Sequence, residues 1–154
     1  PLLARLLDIP WSRVHQEAHE MEHTISHETM QALLERLDQP RTCPHGNPLP
    51  GHEALLESLM PLTEVGAGES VVIQRIHESA ENKHEVMVFL ESNGLVPGAA
   101  ARVDEVIPFN QTVSLAIGDR TVVLGYAVAD SIYVNLVEGP SVGEAGGTSR
   151  RPRG

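Results

Sequence analysis

Residues 11–25 of this 154-residue chain read WSRVHQEAHEMEHTI, and this stretch decides how the remainder is interpreted. Successive residues of an ideal α-helix advance by about 100°. That spacing places His15, His19, Glu22 and His23 within a single arc about 100° wide. An adjoining arc carries apolar side chains at the three- and four-residue spacing of an amphipathic helix, namely Trp11, Val14, Ala18, Met21 and Ile25. The segment therefore predicts a helix with a packing stripe and, beside it, a stripe of imidazoles and a carboxylate.

Imidazole nitrogens and carboxylate oxygens suit borderline transition ions. Four such residues on one arc, with no lysine or arginine among them, favour a metal site over a solvated helix face. The alternative is that residues 19–23 form the HExxH pattern of zinc peptidases, with Glu20 as the general base. A peptidase also needs a third ligand downstream and a substrate cleft, and no family-specific extension follows. We therefore expect that the chain is not an enzyme.

The composition limits the possible partners of the chain. Hydrophobic residues make up 41% of the sequence but aromatic residues only 3%, so aliphatic side chains must fill the core. The net charge of −10 disfavours contact with phosphate backbones and anionic membranes. Cys43 is the single cysteine, which excludes an internal disulfide and fits a reducing, cytoplasmic compartment. No apolar run is long enough to span a bilayer.

The first third of the chain predicts helices and then a loop. Residues 1–7 are apolar and helical in pattern, and Pro10 precedes the central helix. Ser26 is a suitable N-cap for a further helix from His27 to about Leu37. Residues 38–51 contain four prolines and two glycines and predict a structured loop. Helices with exposed apolar seams usually pack against a second copy, so we expect a homodimer.

The second half of the chain changes to a β-rich pattern. Short strands are predicted at 70–76, 101–107, 112–117, 120–124 and 131–136, with a helix at 82–93 that ends at Gly94. Five short strands around one helix indicate a small barrel. The predicted organisation is thus a helical domain at 1–51, a linker at 52–64, a barrel at 65–138 and a disordered tail at 139–154.

Three motifs together carry a family resemblance. They are Val14-His15-x-Glu17-Ala18-x-x-x-Glu22-His23-x-Ile25-Ser26, the loop Pro44-His45-Gly46-Asn47-Pro48-Leu49-Pro50-Gly51, and Asn93-Gly94-Leu95-Val96-Pro97-Gly98. In this order they resemble the diphtheria toxin repressor family of metal-dependent transcriptional regulators. The segment Gly66–Val103, which contains the third motif, is similar to the SH3-like barrel shared with FeoA proteins. The resemblance implies an α+β fold, in which a helical metal-binding and dimerisation domain precedes an SH3-like, FeoA-type barrel.

The resemblance also implies a set of metal ligands. Glu22 and His23 match ligands of the family's primary regulatory site, and His19 stands where other members have a cysteine or a glutamate. His15 matches a histidine of the ancillary site. With a one-residue shift, the family's barrel-borne ancillary ligands fall on Asn82 and Glu85, and His84 lies close to them.

The implied cofactor is a divalent transition metal. Mn(II) or Fe(II) is the expected ion by family analogy, whereas Zn(II), Co(II) and Ni(II) also suit the nitrogen and oxygen donors. The implied function is metal-dependent transcriptional regulation in iron or manganese homeostasis. Operator DNA would be bound by a winged helix-turn-helix domain N-terminal to Pro1, because this chain starts near the end of the first dimerisation helix of the family.

Two further interpretations stay open. In the first, the barrel is a peptide-binding module that captures a proline-rich segment, either of a partner or of its own chain, such as Arg41–Gly51. Cys43 and His45 form a second possible pair of metal ligands, although Pro44 and the surrounding turn residues favour an ordinary loop thiol.

Overall fold

The computed structural model describes residues 8–36 and 41–138. The helix predicted at 1–7 and the tail predicted at 139–154 lie outside these residues. None of the described helices is both long enough and apolar enough to cross a membrane.

The central helix is shorter than the sequence predicts. Trp11–Arg13 forms one 3-10 turn, in which the Arg13 amide bonds the Pro10 carbonyl, and helix α1 (Val14–Glu22) follows directly. The helix ends at Glu22, and just beyond it the amides of Thr24 and Ile25 both donate to the Met21 carbonyl. Val14 is buried, whereas the other members of the apolar stripe are half-buried.

Helix α2 (His27–Arg36) begins where the sequence predicts. The Ser26 hydroxyl accepts a hydrogen bond from the Thr29 amide at 3.2 Å, which satisfies a donor that the first turn would otherwise leave unpaired. The predicted N-cap is confirmed.

The second half of the chain forms a six-stranded antiparallel sheet with the order β1-β6-β2-β3-β4-β5. The strands are β1 (Met60–Pro61), β2 (Ser70–Ile76), β3 (Ala100–Ile107), β4 (Thr112–Ile117), β5 (Arg120–Gly125) and β6 (Ile132–Val137). The five predicted strands are confirmed within one residue. The sixth, β1, lies in the predicted linker, where Met60 pairs with Val134. Two residues are too few for an alternating pattern to show.

Three short helices accompany the sheet: α3 (Glu78–Glu81), α4 (His84–Ser92) and α5 (Tyr126–Ala129). The helix predicted at 82–93 corresponds to α4, while α3 was not predicted. Gly94, at a φ of 72°, ends α4 in the left-handed conformation and lets the Leu95 amide bond the Leu90 carbonyl at 2.8 Å. The predicted glycine stop is therefore confirmed.

The core joins buried side chains of the strands to those of α4 and of the short segments that connect them. Its largest fully buried side chains include Leu62, Ile73, Ile76, Met87, Leu90 and Leu115. Trp11 packs against this core, and its backbone amide donates a hydrogen bond to Glu91 of α4 at 3.0 Å. The start of the helical part is thereby held against the sheet-bearing part.

Candidate metal centre

Four potential metal ligands converge where the helical part meets the sheet. His15, Cys43, His45 and Glu81 each offer one ligand atom, and these four atoms lie within 4.8 Å of one another. His15 belongs to α1 and Glu81 to α3, whereas Cys43 and His45 belong to the loop that comes after α2. Residues far apart in sequence thus form one cluster.

The loop that carries Cys43 and His45 is fixed at both ends and at its tip. Thr42 and Pro48 form an isolated antiparallel bridge, and the Cys43 amide bonds the Asn47 carbonyl at 2.9 Å. Gly46, at a φ of 82°, packs so closely on β2 that a Cβ atom there would lie 1.9 Å from the Gln74 carbonyl oxygen. Glycine is required at this position for both space and conformation, and it turns the two neighbouring ligands toward α1.

His45 is fully buried, and its two ring nitrogens have different surroundings. Nε2 lies 2.8 Å from the Trp11 carbonyl oxygen, which can only accept a hydrogen bond, so Nε2 carries the hydrogen. Nδ1 is buried and has no hydrogen-bond partner among the described residues, although it lies 3.2 Å from Oε1 of Glu81. In the neutral ring, Nδ1 therefore presents a lone pair to a carboxylate, an arrangement that a cation between them would stabilise.

Glu81 faces both imidazoles. Its side chain is only 8% exposed, its Oε2 lies 3.4 Å from Nδ1 of His15, and its Oε1 accepts a hydrogen bond from Asn47 at 2.5 Å. The rings of His15 and His45 stack with their centroids 4.7 Å apart. The carboxylate and the two imidazoles therefore point into the same space.

The cluster shifts the ionisation of all four groups. Burial opposes ionisation of Cys43, but the neighbouring imidazoles of His15 and His45 and nearby backbone amides outweigh it and lower the thiol pKa to about 6. Burial also disfavours the charged form of His45, yet Cys43, Glu81 and the Trp11 carbonyl raise its pKa to about 9.

The other two shifts have the same origin. Cys43 raises the pKa of His15 against the effect of burial, with help from the charge of Glu81. For Glu81, burial alone would raise the pKa, but the two histidines and Asn47 lower it. A thiolate and a carboxylate thus face two imidazoles that hold protons readily, and a divalent cation could replace those protons.

These residues fit a metal ion on the chemistry of their donors. One thiolate, two imidazoles and one carboxylate form a four-donor set of the kind that binds zinc and other borderline transition ions. The surroundings of His45 support the same conclusion. Metal-bound histidines commonly donate their other ring N–H to a backbone carbonyl or carboxylate. In His45, Nε2 bonds the Trp11 carbonyl while Nδ1 is left without a partner among the described residues.

The predicted primary-site residues lie elsewhere, on the exposed face of α1. The Nδ1 atom of His19 is 3.7 Å from Oε2 of Glu22, and the rings of His19 and His23 meet edge to face at 5.3 Å. The side chains of His19 and Glu22 are 74% and 64% exposed. The three residues are therefore neighbours on one face and are more open to solvent than the cluster of His15, Cys43, His45 and Glu81. In that cluster, called the buried cluster below, His45 is fully buried and the His15 side chain, at 44%, is the most exposed.

His84 and Glu85 lie exposed at the start of α4. The carboxylate that reaches His15 comes from Glu81, one short helix earlier, so ligation by His84 or Glu85 stays a prediction. Sequence reasoning missed Glu81 because it sought ligands around a single helix at 82–93. The available signal was the acidic run that directly follows the strand at 70–76, in Glu78-Ser79-Ala80-Glu81.

Comparison with known proteins agrees with this architecture. Residues 1–51 match the family model described as the iron-dependent repressor metal-binding and dimerisation domain, and residues 60–136 match the FeoA domain. The iron-dependent repressor IdeR of Mycobacterium leprae is 30% identical over 147 residues. That match covers 88% of this chain and 64% of the relative, so the chain spans somewhat less than two thirds of its length.

Solved structures give the same result. The crystal structure of T. acidophilum IdeR superposes with a TM-score of 0.73 at 31% identity, over 88% of this chain and 62% of the other. A manganese-dependent transcriptional repressor in complex with manganese superposes with a TM-score of 0.77 at 27% identity, over 88% and 65%.

The fold and the two matched segments define a helical metal-binding and dimerisation domain followed by an SH3-like FeoA domain. The chain belongs to the diphtheria toxin repressor family, whose metal-binding and dimerisation domain and FeoA domain it matches.

Proposed function

We propose that this chain is the metal-sensing and dimerisation part of a divalent-metal-dependent transcriptional repressor. The observation that carries the proposal is the buried, unpartnered Nδ1 of His45, which faces His15, Cys43 and Glu81. Relatives named iron-dependent and manganese-dependent repressors support Fe(II) or Mn(II) as the regulatory ion. The repressor would act as a homodimer that binds operator DNA through a winged helix-turn-helix domain.

Metal binding at the buried cluster would join three parts of the chain. His15 belongs to α1, while Cys43, His45 and Glu81 are held by the loop and by α3 next to β2. On metal binding, the imidazoles of His15 and His45 would give up their protons, the Cys43 thiolate and the Glu81 carboxylate would supply negative charge, and α1 would be tied to the FeoA domain. The coupling is allosteric if the ion binds this joined arrangement more tightly than a separated one.

A second metal site is proposed at His19, Glu22 and His23. Its support is the shared exposed face of α1, where two imidazoles and a carboxylate lie next to one another. In a complete repressor, residues outside this chain would finish the ligand shell of this open site. Since it lacks a thiolate, its donors are harder than those of the buried cluster, and the two sites should prefer different ions.

The experiment is calorimetric titration of Mn(II), Fe(II) and Zn(II) into the parent chain and two variants. Glu81→Gln should weaken Zn(II) binding at the buried cluster without abolishing it, whereas His19→Ala should remove a separate binding event. His27→Ala removes an exposed histidine from α2 and serves as the control for loss of an imidazole. If Glu81→Gln and His27→Ala bind Zn(II) as the parent does, the buried metal site is wrong.

The HExxH pattern at residues 19–23 has a simpler explanation in this proposal. His19 and His23 serve as regulatory ligands, and Glu20 is an exposed residue of α1 with no catalytic role. Family membership favours a repressor over a peptidase. Glu20→Gln should accordingly leave metal affinity unchanged, and neither form should cleave peptides.

The segment Arg41–Gly51 is proposed as an internal ligand of the FeoA domain. Its support is the contact that the loop makes with β2, where the Ile76 amide bonds the His45 carbonyl at 2.8 Å and Gly46 lies against Gln74. This contact depends on backbone groups and on Asn47, so the segment would act by placing metal ligands.

A further inference from the structure

A buried arginine, Arg75, lies close to the four candidate metal ligands but is not one of them. Arg75 is only 8% exposed, and its guanidinium carbon lies 5.3 Å from the centre of the Tyr133 ring. The pairing of β2 with β6 shifts register between Ile73 and Arg75, which leaves Gln74 as the extra residue of a bulge. A buried cation next to an aromatic face needs further polar partners, and the loop supplies one.

That partner is the side-chain amide of Asn47, which is 4% exposed. Nε of Arg75 donates a hydrogen bond to Oδ1 of Asn47. Because Arg75 has donors and no acceptor, this bond fixes which end of the amide faces the arginine. The amide nitrogen of Asn47 must then point the other way.

The amide nitrogen donates to two acceptors on the far side. It bonds the Ile76 carbonyl at 2.8 Å and Oε1 of Glu81 at 2.5 Å. Oε1 is thereby engaged, while Oε2 faces His15 at 3.4 Å. The side-chain amide of Asn47 thus sets the orientation of the Glu81 carboxylate, and Arg75 sets the orientation of that amide.

We infer that Arg75 and Asn47 form a relay that positions the Glu81 carboxylate for metal binding. The inference rests on the proposed function of the buried cluster as a metal site. Arg75 and Asn47 supply no ligand atom to the ion. They act through the Glu81 carboxylate, which Asn47 bonds, so they are positioning residues. Groups that orient metal ligands in this way typically change affinity by about 10- to 100-fold when they are removed.

A double-mutant cycle with Co(II) as the probe tests the relay. Co(II) bound to a thiolate gives a charge-transfer absorption band, which reports ligation by Cys43. Asn47→Ala and Arg75→Lys should each weaken Co(II) binding by about tenfold or more in the parent chain. In the Glu81→Gln background the same substitutions should have little further effect, because the carboxylate that they position is gone.

Asn93→Ala is the matched control, since that amide bonds the Phe89 carbonyl within α4, away from the cluster. Chemical unfolding without metal separates loss of stability from loss of positioning. If Asn47→Ala does not fold, Arg75→Lys is judged by the same criterion, because it keeps a cation next to Tyr133.

The outcomes are distinguishable. Equal losses of affinity in the parent and Glu81→Gln backgrounds would overturn the relay and leave the metal site intact. Absence of the charge-transfer band in the parent chain would overturn the metal site itself, and the relay with it. Losses confined to chains that retain Glu81 support the relay.

Discussion

The carbonyl oxygen of Trp11 accepts a hydrogen bond from Nε2 of His45 at 2.8 Å. This contact joins the start of the helical domain to the cluster of candidate metal ligands. The indole N–H of Trp11 bonds the Pro44 carbonyl, also at 2.8 Å, and the indole and imidazole rings meet edge to face. Trp11 therefore docks the loop and engages Nε2 of His45, so Nδ1 is the ring nitrogen that can bind an ion once it has lost its proton.

Replacing Cys43 by serine should alter which metals bind tightly. A serine hydroxyl stays protonated and is a harder, weaker ligand than a thiolate, so Zn(II) and Co(II) affinity should fall by roughly a hundredfold. Mn(II) affinity should fall less because Mn(II) gains little from a soft donor. Competition titrations with each ion measure both effects, and a uniform loss for all three ions would contradict ligation by sulfur.

Metal binding at neutral pH should release protons. His45, whose pKa is about 9, is protonated at pH 7, and the raised pKa of His15 adds to the release. Between about one and two protons should leave per ion. Affinity should rise as the pH increases toward 9 and fall more steeply below pH 6, where Cys43 also holds its proton.

Calorimetry in two buffers of different ionisation enthalpy measures this release. Glu81→Gln provides a comparison, since loss of the carboxylate should lower the pKa of His45 and reduce the number of protons released. An unchanged binding enthalpy across buffers at pH 7 would contradict the predicted charge state.

The thiol of Cys43 should titrate as an acidic cysteine in the metal-free protein. With a pKa of about 6, it should be about nine-tenths ionised at pH 7. Thiolate absorption in the ultraviolet should therefore show a midpoint near pH 6 in the native chain and return to the ordinary range in denaturant. Because the sequence has a single cysteine, the signal has one source. A native midpoint above pH 8 would show that the two histidines do not stabilise the thiolate.

Gly46→Ala should displace the loop from β2. The new Cβ would lie 1.9 Å from the Gln74 carbonyl oxygen at a φ of 82°, so overpacking and left-handed strain combine. Together they should lower the free energy of unfolding by roughly 3 kcal/mol. Denaturant unfolding measures the change.

Gly51→Ala is the control for backbone strain alone. Its φ of 88° is similar, but nothing lies within 4 Å of the position that its Cβ would take. It should cost about 1–2 kcal/mol and leave Zn(II) affinity unchanged. If the two alanine variants were equally stable, the close approach of Gly46 to β2 would not be what fixes the loop.

The sequence by itself determined the local elements and the kind of chemistry. Periodicity placed α1, and a serine N-cap, a glycine stop and alternating strands placed most of the other elements, because each depends on neighbours within a few residues. The spacing of His15, His19, Glu22 and His23 indicated metal binding for the same reason.

Only the tertiary structure decided which residues form the buried cluster. Glu81 meets His15 because β2 ends beside the loop that carries Cys43 and His45, and no local pattern encodes a contact across 66 residues of chain. The burial of Arg75 is likewise not encoded by a local pattern, because it depends on the distant strand β6, which pairs with β2. Ligand geometry is set by packing between distant segments, whereas a sequence pattern reports only the conformation of adjacent ones.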